Sequence, residues 1–309
     1  MTVAAFLDAA GWGEAQARPL AADASARTYS RLSKAGETAV LMDAPVDTAQ
    51  DRASFAAFRT IGAHLRGLGL SAPREYAADA ENGLILMEDL GDLTLSHLLA
   101  TDADRARLAY GVTVDMLPIL KALPPPGLSA PDARAMAAMA RITFDRLHAS
   151  DALRDGLLTA LADALATHAH GPPILSLRDV HGDNLLWLAD RTGPARIGLL
   201  DFQDAVLLPD GYDLASLLDD PRRVVPEDWR RNLIEQLGHD PRRIDILSLA
   251  RNLRILGIFR RLSTELGKPQ YAAFLPRTRT LIARAAEPFP TIAPSVADLL
   301  DRTKDWTAT

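Results

Sequence analysis

The residues with the clearest chemical content are Asp179, Asn184 and Asp201. Asp179 and Asn184 stand five apart in Leu177-Arg178-Asp179-Val180-His181-Gly182-Asp183-Asn184. Asp201 follows Asn184 by seventeen residues, in Leu199-Leu200-Asp201-Phe202-Gln203-Asp204. A carboxylate, an amide oxygen and a second carboxylate at that spacing are the set that phosphoryl transfer uses. The first takes the proton of an acceptor hydroxyl, and the other two hold magnesium on the phosphates of ATP. Such a reaction depends on positioning and charge neutralisation, so the three side chains must converge from a rigid loop and strand. The D-x-x-x-x-N pattern alone also arises in ordinary loops, where Asp and Asn bond their own backbone.

Context favours the chemical reading. Ile174-Leu175-Ser176-Leu177 is an apolar run before the loop, and Leu185-Leu186-Trp187-Leu188 is another after it. A turn over 190–194 leads into the apolar run 196–200, which delivers Asp201. The H-G-D triplet at 181–183 offers Asp183 as a rival base. Five residues beyond Asp183 stands Leu188, which cannot bind magnesium, whereas five beyond Asp179 stands Asn184. Asp179 is therefore the base, and Asp183 is expected to be solvated or hydrogen-bonded within the loop.

The elements that must position these groups are legible around them. Val3, Phe6 and Leu7 mark a short helix within 1–15, followed by strand-like pieces at 18–21, 27–32 and 38–43. A turn of small residues at 22–26 separates the first two pieces. Phe55, Phe58, Ile61 and Leu65, at spacings of three and four, predict a helix over 51–68. Strands at 75–78 and 84–87, joined at Asn82-Gly83, complete a five-stranded antiparallel sheet. Glu88-Asp89-Leu90-Gly91 reads as a hinge. Beyond it, helices are expected over 94–100, 102–123, 132–149 and 153–168, then over 212–218, 227–237, 241–266, 271–286 and 295–305. The expected class is α+β. A small lobe of residues 1–91 holds the sheet and one main helix. A larger, mostly helical lobe of residues 92–309 carries the catalytic loop at 177–184 and the metal strand at 196–204.

Composition bounds the partners. At 309 residues the chain can bury a core in each of two lobes. A formal net charge of −6 and the lack of any basic run argue against a nucleic-acid partner. There is no cysteine, hence no disulfide framework and no thiolate nucleophile. The first ten residues hold Asp8 and no basic segment, so no secretory leader is expected. No apolar run reaches the roughly 18 residues of a membrane span. A cytoplasmic enzyme is expected, with no membrane and no obligate protein partner.

A helix and sheet followed by a hinge near residue 88, then a helical part carrying D-x-x-x-x-N and apolar-D, resembles the aminoglycoside and choline phosphotransferase families. Those are bilobal, protein-kinase-like enzymes that phosphorylate small molecules. Finer motifs are Val40-Leu41-Met42-Asp43-Ala44-Pro45, Leu199-Leu200-Asp201-Phe202-Gln203-Asp204-Ala205, Tyr212-Asp213-Leu214 and Arg251-Asn252-Leu253-Arg254-Ile255-Leu256-Gly257-Ile258-Phe259. These are similar to the anomeric amino-sugar kinases of bacterial cell-wall recycling, which act on N-acetylmuramate and N-acetylglucosamine. The resemblance runs over nearly the whole chain and implies ATP, Mg2+ and a small sugar acceptor. Asp179 matches the family base, and Asn184 and Asp201 match the magnesium ligands. Met87, Glu88 and Leu90 match the hinge whose backbone holds adenine, and Ser25 lies where the phosphate-covering turn is expected.

The chain also departs from the kinase pattern. A kinase nucleotide site usually pairs a third-strand Lys with a Glu of the next helix. Here the strand reads Val40-Leu41-Met42-Asp43 and the helix over 51–68 contains no Glu. Loss of both partners reads as a replaced site. Arg27 and Arg31 are the nearest cations expected to face the phosphates, against the plain alternative of a solvated strand face.

On the acceptor side, Asp204 stands three residues after Asp201, either near the metal and acceptor or as a cap of the segment leading to Pro209. Arg222 and Arg223 suit a lactyl carboxylate through their forked donors, or else pair with the neighbouring Asp219 and Asp220. Arg251 and Asn252 are expected to line the acceptor cleft, on a helix whose Leu253, Leu256 and Phe259 belong to the core. His181 is expected to orient substrate or backbone. Two other readings stay open: a kinase of this fold for an aminoglycoside, choline-like alcohol or other small molecule, and a catalytically silent binding protein. The missing Lys and Glu suggest the second; the intact base and metal ligands oppose it.

Overall fold

The structure, a computed structural model, describes residues 2–20 and 26–307. Along the chain, helix α1 (Val3–Ala9) precedes strands β1 (Gln16–Pro19), β2 (Thr28–Lys34) and β3 (Glu37–Asp43). Helix α2 (Ala49–Gly67), strands β4 (Glu75–Asp79) and β5 (Leu84–Glu88), and helices α3 (Leu95–Thr101) and α4 (Ala103–Met116) follow. Next come α5 (Ala133–Ala138), α6 (Arg141–Leu147) and α7 (Asp151–His168), then the short strands β6 (Pro173–Ser176), β7 (Leu185–Trp187), β8 (Ile197–Leu199) and β9 (Val206–Pro209). The chain closes with α8 (Tyr212–Leu218), α9 (Glu227–Gln236), α10 (Pro241–Thr264), α11 (Leu275–Ala286) and α12 (Ala293–Arg302).

The five-stranded antiparallel sheet has the order β1-β2-β3-β5-β4. Its middle is set by composition: Ala39 to Met42 on β3 and Leu84 to Met87 on β5 are all buried. Helix α1 closes one face, with Phe6 packed among Leu32, Leu41, Leu84 and Leu86. Helix α2 starts at a capping box in which Thr48 Oγ1 accepts from Asp51 N and Asp51 Oδ2 accepts from Thr48 N. Phe55, Phe58, Ile61 and Leu65 form its buried stripe, as their spacing predicts.

Two compact units divide the chain. The first comprises Met1–Ile119, Leu123–Pro126 and Gly182–Ala205; the second comprises Leu120–Ala122, Gly127–His181 and Val206–Thr309. This is a different partition from a cut after residue 91. The β7–β8 hairpin joins the first unit because Trp187 N donates to Leu93 O, Leu199 N to Ser71 O and Ser71 Oγ to Ala195 O. Those bonds also hold α3 and α4 with the sheet.

The second unit is built around α10, whose first turn has Asp240 as cap and Pro241 at its start. Three local expectations change there. The span 132–149 is two helices, α5 and α6, separated at Met139–Ala140, where Ala140 offers no side-chain cap. Residues 269–274 form a tight 3₁₀ turn ahead of α11. Strand β9, absent from the sequence reading, pairs antiparallel with β6. In the first unit, α4 gives way to a 3₁₀ turn at Leu117, so the helix expected over 102–123 is shorter.

Candidate active site

Within the first unit, a cavity of about 750 Å³ opens beside the sheet. Its wall brings together Asn184, Asp201 and Asp204, as their spacing predicts, and Asp183 lines it as well. The β7–β8 hairpin does the positioning. Leu185 to Trp187 pair with Ile197 to Leu199, so residues just outside the two strands meet. Asn184 Nδ2 lies 3.5 Å from Asp201 Oδ2, and Leu200 N donates to Asn184 O. Gly182 fixes the near end of the loop: its O accepts from Ser96 N, and a Cβ there would come within 3.0 Å of that same nitrogen. No other residue fits so close an approach.

Asp201 has φ +56°, a left-handed conformation that a non-glycine residue adopts only where the surroundings impose it. Its Oδ1 accepts from Gln203 Nε2 at 2.6 Å, while Gln203 Oε1 is buried with no partner. An amide, a carboxylate and an orphaned amide oxygen around one point suit a hard cation. Magnesium is held by one or two carboxylates, with substrate phosphates and water completing its shell. Among the described residues no cluster of three His, Cys, Asp or Glu side chains occurs, so a closed protein cage is not what this wall offers.

The rest of the cavity is less open than the sequence suggests. Met87, Glu88 and Leu90 line it at the end of β5, in keeping with a hinge. The Glu88 carboxylate is occupied, accepting from Arg191 Nη2 at 2.5 Å and from Arg74 N at 3.2 Å. Only its backbone is left to meet a ligand in this segment. Arg31 lines the cavity too, yet its guanidinium is forked onto Asp92 at 2.5 Å and Asp89 at 2.7 Å. Hydrogen bonding to Asp92, offset by burial and reinforced by Asp89, holds the Arg31 charge above its ordinary range. Arg31 therefore braces β2 against the hinge segment.

Arg27 is buried on the same wall. It donates to Ser54 Oγ of α2 at 2.6 Å and sits 5.9 Å from the centre of the Phe58 ring, which stacks on Phe202 at 4.9 Å. These contacts tie the residue before β2 to α2. Ser25 lies outside the described residues.

In the second unit, Asp179 follows a clamped turn. Asp213 accepts from Ser176 Oγ at 2.7 Å, Leu177 N at 2.9 Å and Arg178 N at 3.0 Å, and Ser216 Oγ donates to Arg178 O. Arg178 is held at φ +68°. Sequence reasoning quoted Asp213 within Tyr212-Asp213-Leu214 without a role. Its signal is an acidic residue in an otherwise apolar helix, and it fixes the loop that carries Asp179. Burial pushes the Asp213 carboxyl up to about 6, against the pull of its donors.

A chain of charge leads away from Asp179. Arg251, only 2% exposed, places Nη2 3.8 Å from Asp179 Oδ1 and 3.3 Å from Asp220 Oδ2. Asp220 also takes the Arg222 fork, at 2.8 and 2.7 Å. Burial alone would raise Asp220; the Arg222 fork, with Arg251, overrides it and holds the carboxyl far below its usual range. So Arg222 pairs with its neighbouring aspartate. Arg223 Nη1 donates to Arg222 O at 2.7 Å. Burial, followed by the Arg222 charge, pushes His181 down to about 4, so it is a neutral ring packed beside this chain.

Asn252, expected at the acceptor cleft, is fully buried, and its Nδ2 donates to Asp219 O at 3.1 Å. It ties α10 to the turn after α8 and faces no solvent. Arg251 likewise reaches Asp179 from within the fold. Asp219, also buried, is held by Arg230 at 3.1 Å and Arg284 at 2.5 Å.

Residues 16–247 match the model of the phosphotransferase enzyme family. The chain is 35% identical to a protein of Caulobacter vibrioides named N-acetylmuramate/N-acetylglucosamine kinase, over 89% of this chain and 88% of that one. Among solved structures, the GDP complex of wild-type aminoglycoside 2′-phosphotransferase-IIIa superposes with a TM-score of 0.62 at 16% identity, covering 89% of this chain and 93% of that one. A choline/ethanolamine kinase family protein from Mesorhizobium loti gives 0.60 at 14% identity, over 93% and 92% of the two chains. At such identities the two structures share the fold, which is the α+β, protein-kinase-like one expected from the sequence.

Proposed function

The chain belongs to the phosphotransferase enzyme family, and from that premise we propose that it transfers the γ-phosphate of ATP to the anomeric hydroxyl of N-acetylmuramate or N-acetylglucosamine. The observation that carries the transfer chemistry is the Asn184–Asp201 pair on the wall of a cavity of about 750 Å³, within the size range of small-ligand sites. The choice of acceptor rests on the curated kinase that is 35% identical along 89% of the chain.

In this reading the first unit holds the nucleotide. The backbone at 87–90 meets adenine, and Arg27, kept in place by Ser54 and Phe58, faces the phosphates. Asn184 and Asp201 would hold magnesium, which neutralises phosphate charge when bound. Asp204 lies on the same wall, on the side given to the acceptor or its metal.

The loop 177–184 passes from the second unit to the first between His181 and Gly182, carrying Asp179 at one end and Asn184 at the other. Asp179 takes the proton of the anomeric hydroxyl as that oxygen bonds to the γ-phosphorus and the bond to the β-phosphate oxygen breaks, releasing ADP. An anomeric hydroxyl is more acidic than an ordinary alcohol, so a carboxylate suffices as base. Asp213 fixes the backbone that bears it, and Arg251 fixes its side chain.

Purified protein given ATP, magnesium and a panel of the two amino sugars, kanamycin and choline should form ADP with the amino sugars. ADP formed only with kanamycin or choline would overturn the acceptor. No ADP above background with any of them would overturn the transfer itself.

A further inference from the structure

Near Asp179, helix α10 carries a further cation within the Arg251–Phe259 motif, Arg254. Arg254 lies three residues beyond Arg251 on α10, so the two side chains emerge on one face about one helical turn apart. Arg251 pairs with Asp220 at 3.3 Å and lies 3.8 Å from Asp179. Arg254 is half-buried, and among the described residues no carboxylate lies within ion-pair distance of its guanidinium and no group hydrogen-bonds it. Proteins seldom bury a cation in this way unless something pairs it.

Its surroundings make the vacancy sharper. Burial first, then the like charge of Arg178, holds Arg254 below its ordinary range; Tyr212 and Asp179 offset this only in part. Arg254 thus carries its charge beside a second arginine, and an anion at its guanidinium would offset that repulsion. The helix is also well fixed at this point. One turn further, Gly257 meets α6 so closely that a Cβ would lie 2.6 Å from Thr143 N, and Thr143 Oγ1 donates to Leu253 O.

We propose that Arg254 is the anion subsite of the acceptor pocket and takes the carboxylate that the lactyl ether gives N-acetylmuramate and that N-acetylglucosamine lacks. The proposal rests on the acceptor reading above and adds to it the residue that tells the two sugars apart. A guanidinium fork meets a carboxylate with two parallel hydrogen bonds, which fixes the sugar's orientation as well as adding affinity. Side chains three residues apart on a helix stand about 5–6 Å apart at Cβ, comparable to the breadth of a sugar ring. One end of the ring can then present its hydroxyl to Asp179 while its lactyl group reaches Arg254.

The test compares the two sugars in wild-type protein, Arg254→Gln and Arg254→Lys. In Arg254→Gln the ratio of kcat/KM for N-acetylmuramate to that for N-acetylglucosamine should fall roughly 10- to 100-fold, the worth of a charge-assisted pair. Arg254→Lys should recover part of the ratio. Equal losses on both sugars would make Arg254 a structural residue, and a raised KM for ATP with either sugar would place its anion on the nucleotide; both results overturn the subsite. Calorimetric titration with N-acetylmuramate alone separates this inference from the transfer reading. Binding that disappears in Arg254→Gln, in a protein that phosphorylates neither sugar, would uphold the subsite and remove the kinase assignment. Transfer to both sugars with an unchanged ratio would do the reverse.

Discussion

The cavity wall of the first unit and the charged centre of the second handle carboxylates in opposite ways. On the wall, Asp201 and Asp204 are exposed; Asp201 accepts from Gln203 Nε2 at 2.6 Å and lies 3.5 Å from Asn184 Nδ2. In the second unit, Asp219 and Asp220 are buried and each is shared by two arginines. In the proposed reading, the exposed carboxylates of the wall serve a cation that arrives with substrate. The buried ones, saturated by arginine, are fixed struts, and Asp220 is the one that holds Arg251 near Asp179. Among the arginines the contrast repeats: Arg31 and Arg222 are spent on carboxylates, whereas among the described residues no carboxylate pairs with Arg254.

The largest expected effect comes from the residue that this arrangement supports. Asp179→Asn should lower turnover by about two to four orders of magnitude while leaving ATP affinity intact, as measured by single-turnover kinetics beside nucleotide titration. Substantial remaining activity would end its assignment as base. Next, Asp201→Asn should raise the magnesium concentration needed for half-maximal rate by roughly 100-fold. An unaltered magnesium dependence would mean that the open wall does not serve a cation.

A smaller effect tests the struts. Asp213 has a folded value near 6, above the 3.8 of an unperturbed aspartate, so its contribution to stability is lost as pH rises from about 4 through about 6. Denaturant unfolding of the wild type should lose about 3 kcal/mol across that window relative to Asp213→Asn. Parallel pH profiles would show that the three donors, not burial, set the state of this carboxyl. The smallest effect concerns the replaced nucleotide cation. Arg27→Ala should raise the apparent KM for ATP about tenfold, and Ser54→Ala, which frees Arg27 from α2, should raise it by less. Unchanged kinetics in Arg27→Ala would leave the cavity without its phosphate-facing cation.

Much of this was legible in the chain. Alternation and the Asn82-Gly83 turn predict the sheet, spacing predicts α2, and the spacing of Asn184 and Asp201 places both on the cavity wall. What escaped depends on partners distant in sequence. Arg31 reads as a free cation until β2 brings it to Asp89 and Asp92. Strand β9 is four residues long and exists because β6 pairs with it. The hairpin's return to Ser71 and Leu93 moved the unit boundary from residue 91. The periodic pattern over 132–149 runs through a break that no glycine or proline announces. Asp213 carries no spacing signal at all; its role follows from the cluster of donors that surrounds it.

The central claim is that phosphate lands on the anomeric oxygen of an amino sugar. Phosphorus–proton correlation NMR of the product made from N-acetylglucosamine, ATP and magnesium reads that position directly. The account predicts a phosphorus resonance coupled to the anomeric proton, absent when Asp179→Asn replaces the wild type. Coupling to any other sugar proton, or no sugar phosphate at all, would contradict it.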